Sequence, residues 1–136
     1  LYHLDDAGFL PDARIIGVSL DEISADQFRE IARAAHEQFF KREDRDTGWD
    51  DFASRLDYVP LSAGAGALKA AVERAELSLG TECRRLHYLS VPPSAALSAV
   101  RLLGEAGLVE RSRIVLEKPF GTDLESARSL NAQLHE

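Results

Sequence analysis

The sequence predicts an α/β fold in which a parallel sheet is flanked by helices. Short apolar, β-branched runs alternate with amphipathic segments of helical spacing, and this alternation is typical of βαβ units. Glycine or proline stands at most of the junctions between these segments, where turns are expected. The 136 residues, of which 45% are hydrophobic and 29% charged, predict one globular domain with one core.

The first half of the chain opens on Leu1 to Leu4, which resembles the last turn of a helix. Residues 14–19 then predict a buried strand because they are apolar and β-branched. Ser24 and Gln27 form a capping-box pattern, which predicts the start of a helix. The apolar face of that helix is predicted to comprise Phe28, Ile31, Ala32, Ala35 and Phe39.

A shorter helix and an edge strand follow a polar loop over 46–51. The helix is predicted from the spacing of Trp49, Phe52 and Leu56. Residues 58–61 predict a strand, and its proline, which cannot donate to a sheet, favours an edge position.

The second half of the chain contains two more predicted strands, over 86–91 and 112–116. Apolar residues at helical spacing predict a helix before the first of them, and Gly80 is predicted to end it. Pro92 and Pro93 end that strand because neither residue can donate to a sheet. Three further helix boundaries are predicted from capping and stop residues: Ser94 as an N-cap, Gly107 as a stop, and Thr122 with Glu125 as a second capping box.

Composition and charge exclude several classes of function. A net charge of −7 argues against nucleic acid as a main partner, since phosphate binding needs a surplus of Lys and Arg. The sequence has no apolar run close to the roughly 20 residues of a membrane span and no signal peptide at its start, so we predict a cytoplasmic protein without membrane contact. The single cysteine, Cys83, excludes an internal disulfide, and no metal site is predicted.

Lys118 is the strongest candidate for a functional residue. It follows the apolar strand 112–116, and ligands of open α/β sheets bind at the carboxyl ends of strands. Pro119 restricts the backbone of Lys118 to extended geometry. A lysine there could bind a phosphate or sugar oxygen or contact a nicotinamide, but a surface lysine at a turn fits the spacing equally well.

Two further strand ends carry candidate cofactor-binding residues. Ser90, Val91 and Pro92 lie at the carboxyl end of the strand at 86–91, although a simple proline stop explains them nearly as well. Asp21 follows the first strand, where an acid can bind the ribose 2′-hydroxyl of NAD and an arginine can accommodate the 2′-phosphate of NADP. An aspartate that merely begins a loop is the more frequent case.

The segment Glu117-Lys118-Pro119-Phe120-Gly121, together with Tyr88-Leu89-Ser90-Val91-Pro92-Pro93, resembles the glucose-6-phosphate dehydrogenase family. The resemblance covers essentially the whole chain and implies a partial Rossmann-like NAD(P)-binding domain over residues 1–136. It implies oxidation of glucose 6-phosphate to 6-phosphogluconolactone with reduction of NADP, in the pentose phosphate pathway, by a homo-oligomer.

The resemblance also implies roles for individual residues. Lys118 would bind both substrate and cofactor, and Pro119 would shape its turn. The remaining cofactor contacts would lie at strand ends: Ser90, Val91 and Pro92 near the nicotinamide, Ser62 and Ala63 near the adenosine, and Leu20 and Asp21 near the ribose. The family often has an arginine where this chain has Leu20, so NAD is a possible cofactor beside NADP.

Three parts of the family pattern are not found in the 136 residues: the glycine-rich fingerprint on the first strand, the segment that holds the substrate phosphate, and the general-base histidine. The resemblance therefore implies no catalytic base in this chain, which is predicted to be inactive and poorly stable by itself. Without the first strand, which lies centrally in this fold, a gap is expected between the strands containing Ile15 and Leu89.

Two alternatives remain open at this point. A glucose–fructose-oxidoreductase-like sugar dehydrogenase also carries a Glu-Lys-Pro turn at a strand end, on a similar fold. A non-catalytic protein with a dinucleotide-binding fold could use the same scaffold to bind a partner.

Overall fold

The computed structural model describes residues 1–39, 48–80 and 82–117, together with Glu125, Arg128 and Ala132. These residues form two compact units, Leu1–Thr81 and Glu82–Glu136. Lys118 and Pro119, and the capping residue Thr122, lie outside the described residues. Within the described parts, no helix is both long enough and apolar enough to cross a membrane.

The first unit is built around two parallel strands. Its elements in chain order are α1 (Tyr2–Asp6), β1 (Ile15–Ser19), α2 (Ala25–Phe39), α3 (Trp49–Ser54), β2 (Leu56–Pro60), a 3-10 turn (Leu61–Ala63) and α4 (Gly64–Leu79). Ile15 lies opposite Leu56, and Ser19 lies opposite Pro60. The two strands therefore end at the same edge of the sheet, and the α2 and α4 helices pack against β2.

The core of the first unit is an aromatic cluster beneath the start of β2. Trp49, Phe52 and Leu56 are its buried residues. Tyr2 packs against this cluster from α1, and its ring meets that of Phe52 edge-on at 5.4 Å. Arg55 adds an ion pair to Asp5 at the cluster's border. The core thus ties α1, α3 and β2 together.

The second unit contains another pair of parallel strands, β3 (Arg85–Leu89) and β4 (Ser112–Leu116), joined by α5 (Pro93–Glu105). Leu89 lies opposite Leu116. The ring nitrogen Nε2 of His87 lies within hydrogen-bonding distance of the Leu108 carbonyl (3.0 Å). Among the described residues the strands form two separate two-stranded sheets. The strands that contain Ile15 and Leu89 are therefore not paired with each other, and the sequence also predicts that they are not.

Five details of the sequence prediction are wrong. The strand predicted over 58–61 is β2, which ends at Pro60, and Leu61 belongs to the 3-10 turn. Leu56 begins β2 instead of ending the short helix, because Ile15 N–H donates to the Arg55 carbonyl (3.0 Å) and draws the chain into the sheet. Ser94 is not the N-cap of α5: Pro92 holds that place and Pro93 begins the helix, since proline's fixed φ and missing N–H suit the first helical position. Ile31 is 56% exposed instead of facing the core. The β3 strand ends at Leu89, before Ser90 and Val91.

The capping box of α2 is confirmed. Gln27 N–H donates to Ser24 Oγ (3.2 Å), and Ser24 N–H donates to Gln27 Oε1 (2.8 Å). Ser24→Ala removes one acceptor for the free N–H groups of the first turn, so the free energy of unfolding should fall by about 1 kcal/mol. Urea unfolding followed by circular dichroism measures it. Ser98→Ala, an exposed change within α5, is the matched control and should cause no loss; an equal loss in both variants would contradict the assignment.

Candidate functional site

The carboxyl ends of β1 and β2 bring four of the predicted cofactor residues to one edge of the first unit. Leu20 and Asp21 follow β1 directly. Ser62 and Ala63 lie in the 3-10 turn that follows β2. Because the strands are parallel and their last residues are paired, both loops emerge at the same edge, where open α/β sheets bind ligands.

A hydroxyl network holds Asp21 at this edge. Ser19 Oγ donates to Asp21 Oδ2 (2.8 Å) and accepts from Asp21 N–H (3.1 Å). Tyr58 OH donates to the Asp21 carbonyl (2.6 Å) and also lies 2.8 Å from Ser19 Oγ. The Asp21 main chain is therefore anchored to both strands, while its carboxylate remains exposed. Leu20, at 81% exposure, offers an apolar side chain and no hydrogen bond.

The carboxyl ends of β3 and β4 form a second predicted edge in the other unit. Ser90, Val91 and Pro92 follow β3, and Glu117 follows β4. The register pairs Leu89 with Leu116, so these residues emerge side by side. Lys118 and Pro119 come next in the chain but lie outside the described residues, so their placement stays a prediction.

Glu117 accepts hydrogen bonds from two side chains, one near the end of β3 and one just beyond it. Tyr88 OH donates to Glu117 Oε1, and Ser90 Oγ donates to Glu117 Oε2 at 3.5 Å. The residue immediately before Lys118 is therefore held by the end of β3. The two hydrogen bonds therefore connect Glu117 with the segment that precedes Pro92 and Pro93, although the two lie far apart in the sequence.

The hydrogen bond to Glu117, with smaller contributions from desolvation and from the carboxylate's charge, raises the pKa of Tyr88 above its ordinary value of 10.0. A raised phenol pKa means that the bond stabilises the fold below pH 10 and that this contribution is lost as pH rises through the higher pKa. We expect Glu117→Gln to lower the pKa of Tyr88, because a neutral amide no longer disfavours the phenolate. Ultraviolet absorbance of phenolate against pH measures it.

The assignment of this titration is checked with Tyr88→Phe, which should remove the affected phenolate signal. Glu110→Gln, an exposed change on the loop before β4, is the control and should leave the titration unchanged. An identical Tyr88 titration in wild type and Glu117→Gln would contradict the hydrogen bond.

The described residues at the two edges form no candidate metal site. Among the residues that the structure describes, no group of three or more His, Cys, Asp or Glu side chains could hold a metal ion. Sequence reasoning missed Ser19, Tyr58, Tyr88 and Glu117 as supporting residues. The available signal was a hydroxyl or carboxylate at or just beyond the end of each strand.

Comparison with known proteins identifies the family. The family model for the NAD binding domain of glucose-6-phosphate dehydrogenase matches residues 1–136. The chain belongs to this family. Two glucose-6-phosphate 1-dehydrogenases illustrate the similarity: the protein from Dickeya dadantii is 36% identical over 100% of the chain, and that from Mycobacterium tuberculosis is 38% identical over 98%.

Solved structures of glucose-6-phosphate dehydrogenases have the same fold. The enzyme from Mycobacterium avium matches with a TM-score of 0.79 at 38% identity, and 98% of the chain is covered. A second structure, described as glucose-6-phosphate dehydrogenase in complex with its substrate glucose-6-phosphate, matches with a TM-score of 0.77 at 29% identity. The chain spans about 28% of the length of the curated relatives it matches.

Proposed function

We propose that the chain forms part of the dinucleotide-binding domain of an enzyme that oxidises glucose 6-phosphate. The product is 6-phosphogluconolactone, and the hydride passes to NADP, the first step of the pentose phosphate pathway. The observation that carries this proposal is the family match over the whole chain. It is supported by the likeness to a structure that contains glucose 6-phosphate.

In this proposal Lys118 binds both the substrate and the cofactor, and Pro119 shapes the turn that presents it. Ser90, Val91 and Pro92 line the nicotinamide end of the cofactor. Ser62 and Ala63 lie near the adenosine. The Tyr88–Glu117 hydrogen bond supports this arrangement, because it anchors the residue before Lys118 to the segment that carries Ser90. Hydride transfer then depends on holding sugar and nicotinamide in contact, and the cofactor itself accepts the hydride. A histidine outside this chain serves as the general base.

We propose NADP, the acceptor implied by the family, together with NAD as a second acceptor that Asp21 and Leu20 favour. The Asp21 carboxylate is held at the end of β1 by Ser19. A carboxylate there favours the ribose 2′-hydroxyl of NAD and repels the 2′-phosphate of NADP. Leu20 provides no positive charge to compensate.

The cofactor assignment is tested by measuring kcat/KM for NADP and NAD side by side in the complete gene product. Asp21→Asn should raise the ratio of NADP to NAD efficiency by about fivefold, since an exposed charge interaction is worth roughly 1 kcal/mol. Glu30→Gln, an exposed change on α2, is the control and should not alter the ratio. Absence of glucose-6-phosphate-dependent reduction of either nucleotide would refute the proposed activity.

The proposal also covers the location, the oligomeric state and the partners of the protein. We infer a cytoplasmic homo-oligomer that binds glucose 6-phosphate and neither nucleic acid nor membrane. The net charge of −7 supports the exclusion of nucleic acid. The relatives reported above favour glucose-6-phosphate dehydrogenase over the glucose–fructose-oxidoreductase-like alternative and over a non-catalytic binding protein, and the kinetic assay separates all three.

A further inference from the structure

A cleft of about 280 Å³ lies at the opposite edge of the first unit's sheet from Asp21. Its walls come from the amino-terminal ends of β1 and β2, the first half of α2, the end of α3 and the second half of α4. Its volume is slightly below the range of about 300–1,000 Å³ that is usual for small-molecule pockets, so a ligand of this cleft must be small. None of the predicted substrate or cofactor residues contributes to its lining.

The charged residues that line the cleft are four arginines and one aspartate: Arg14, Arg29, Arg55, Arg74 and Asp57. Among the described residues, all of these arginines except Arg14 have a carboxylate partner within 4.0 Å. The positive charge of Arg14 is therefore the least compensated in the cleft, and such a charge attracts a ligand of the opposite sign.

Two of the four arginines form hydrogen bonds and ion pairs within the protein. Arg29 donates to the Leu56 carbonyl from Nε (3.0 Å) and Nη2 (2.7 Å), and to Asp26 from Nη1 (2.6 Å). Arg55 is paired with Asp5 and lies 3.5 Å from Asp51. In the described structure the buried Arg55 Nε–H has no hydrogen-bond partner. These carboxylates compensate the charges of both guanidinium groups, so neither arginine is available to a ligand.

Arg14 and Arg74 are the groups available for direct contact. Arg14 donates to Ser78 Oγ (3.0 Å) and the Ser54 carbonyl (3.4 Å), and no carboxylate of the described residues lies within 4.0 Å of its guanidinium. Arg74 has one carboxylate neighbour, Asp57, at 3.3 Å, and both side chains are substantially exposed. Surface pairs of this kind contribute little, so an incoming anion can compete for Arg74.

We propose that this cleft binds a small phosphate, as the free ion or as a phosphomonoester, through Arg14 and Arg74. The planar fork of a guanidinium matches two oxygens of a phosphate group. Two such forks on different elements, one before β1 and one on α4, can approach a tetrahedral anion from different directions. The site is independent of the proposed dehydrogenase activity, because it uses the other edge of the sheet.

The test is isothermal titration calorimetry of the full chain with inorganic phosphate and, in a second arm, with glycerol 2-phosphate. Sodium chloride holds the ionic strength constant, because exposed charges are screened by salt. Wild type should show saturable binding of at least one of the two probes. Arg14→Gln and Arg74→Gln should each weaken it about tenfold or more, since hydrogen bonds to charged groups are among the strong ones. The arm that binds more tightly identifies the free ion or the ester.

Arg101→Gln is the matched control, because Arg101 is an exposed arginine on α5 in the other unit. It should leave binding unchanged. Arg14→Lys keeps the charge and loses the fork, so it should weaken binding less than Arg14→Gln does; circular dichroism checks that each variant is folded. The proposal is overturned if neither probe binds saturably, or if Arg101→Gln weakens binding as much as Arg14→Gln.

Discussion

Lys118→Ala in the complete gene product is expected to reduce kcat/KM for glucose-6-phosphate oxidation by about 30- to 1,000-fold. A positioned charge that acts on substrate and cofactor contributes about 2–4 kcal/mol to the transition state. Lys118 lies outside the described residues, but the residue before it is held by Tyr88 and Ser90. Lys118 follows the predicted strand 112–116 in the sequence, and ligands of this fold bind at the carboxyl ends of strands. Initial-rate kinetics over both substrates measure the effect.

Lys69→Ala is the control for this experiment. Lys69 lies on α4 and is exposed, with Glu73 at 3.9 Å, so its removal should change kcat/KM by less than about twofold, as expected for a surface pair. Lys118→Arg separates charge from shape: it retains the cation but replaces a compact ammonium with a wider fork, so only partial activity should return. A loss of only a few-fold in Lys118→Ala would rule out a central role for this lysine.

Phe52→Ala should lower the free energy of unfolding of the chain by about 3–5 kcal/mol. Phe52 is 5% exposed and lies between Trp49 and Leu56 in the core of the first unit. Removing its ring loses the transfer free energy of the buried atoms and leaves a cavity that the surrounding rings fill only in part. Natural domains are stable by about 5–15 kcal/mol, and this chain is predicted to be poorly stable by itself, so the loss is a large share of its total stability. Urea unfolding followed by Trp49 fluorescence measures it.

The control is Leu77→Ala, which removes a side chain that is 85% exposed and should change the stability by less than about 0.5 kcal/mol. Phe52→Leu fills part of the cavity and should cost less than Phe52→Ala. It keeps the experiment informative where the alanine variant does not fold. A loss below about 1 kcal/mol in Phe52→Ala would show that the aromatic cluster is not the core of this unit.

The sequence predicts the strands and helices well where a local signal exists. Residues 112–116 form β4 as predicted, and Ser24 with Gln27 forms the capping box. These predictions succeed because each depends on residues within one turn or one strand, where side-chain chemistry acts directly on the backbone.

Leu56 shows where local signals fail. Its spacing from Trp49 and Phe52 correctly groups the three in one core but wrongly extends a helix to it. The helix ends at Ser54, since the Arg55 carbonyl accepts a hydrogen bond from Ile15 in the partner strand. The spacing of apolar side chains indicates which residues are buried together. The hydrogen bonds of the backbone decide whether each of these residues lies in a helix or in a strand.

The sequence alone determined the alternation of strands and helices and the placement of Asp21 and Ser62 after strands. It did so because turns and periodicity are properties of short segments. Only the tertiary structure decided that Tyr88 and Ser90 bond Glu117, that Tyr58 anchors Asp21, and that four arginines line one cleft. Those contacts join residues far apart in the chain, and they depend on strand register and helix packing, which no short segment specifies.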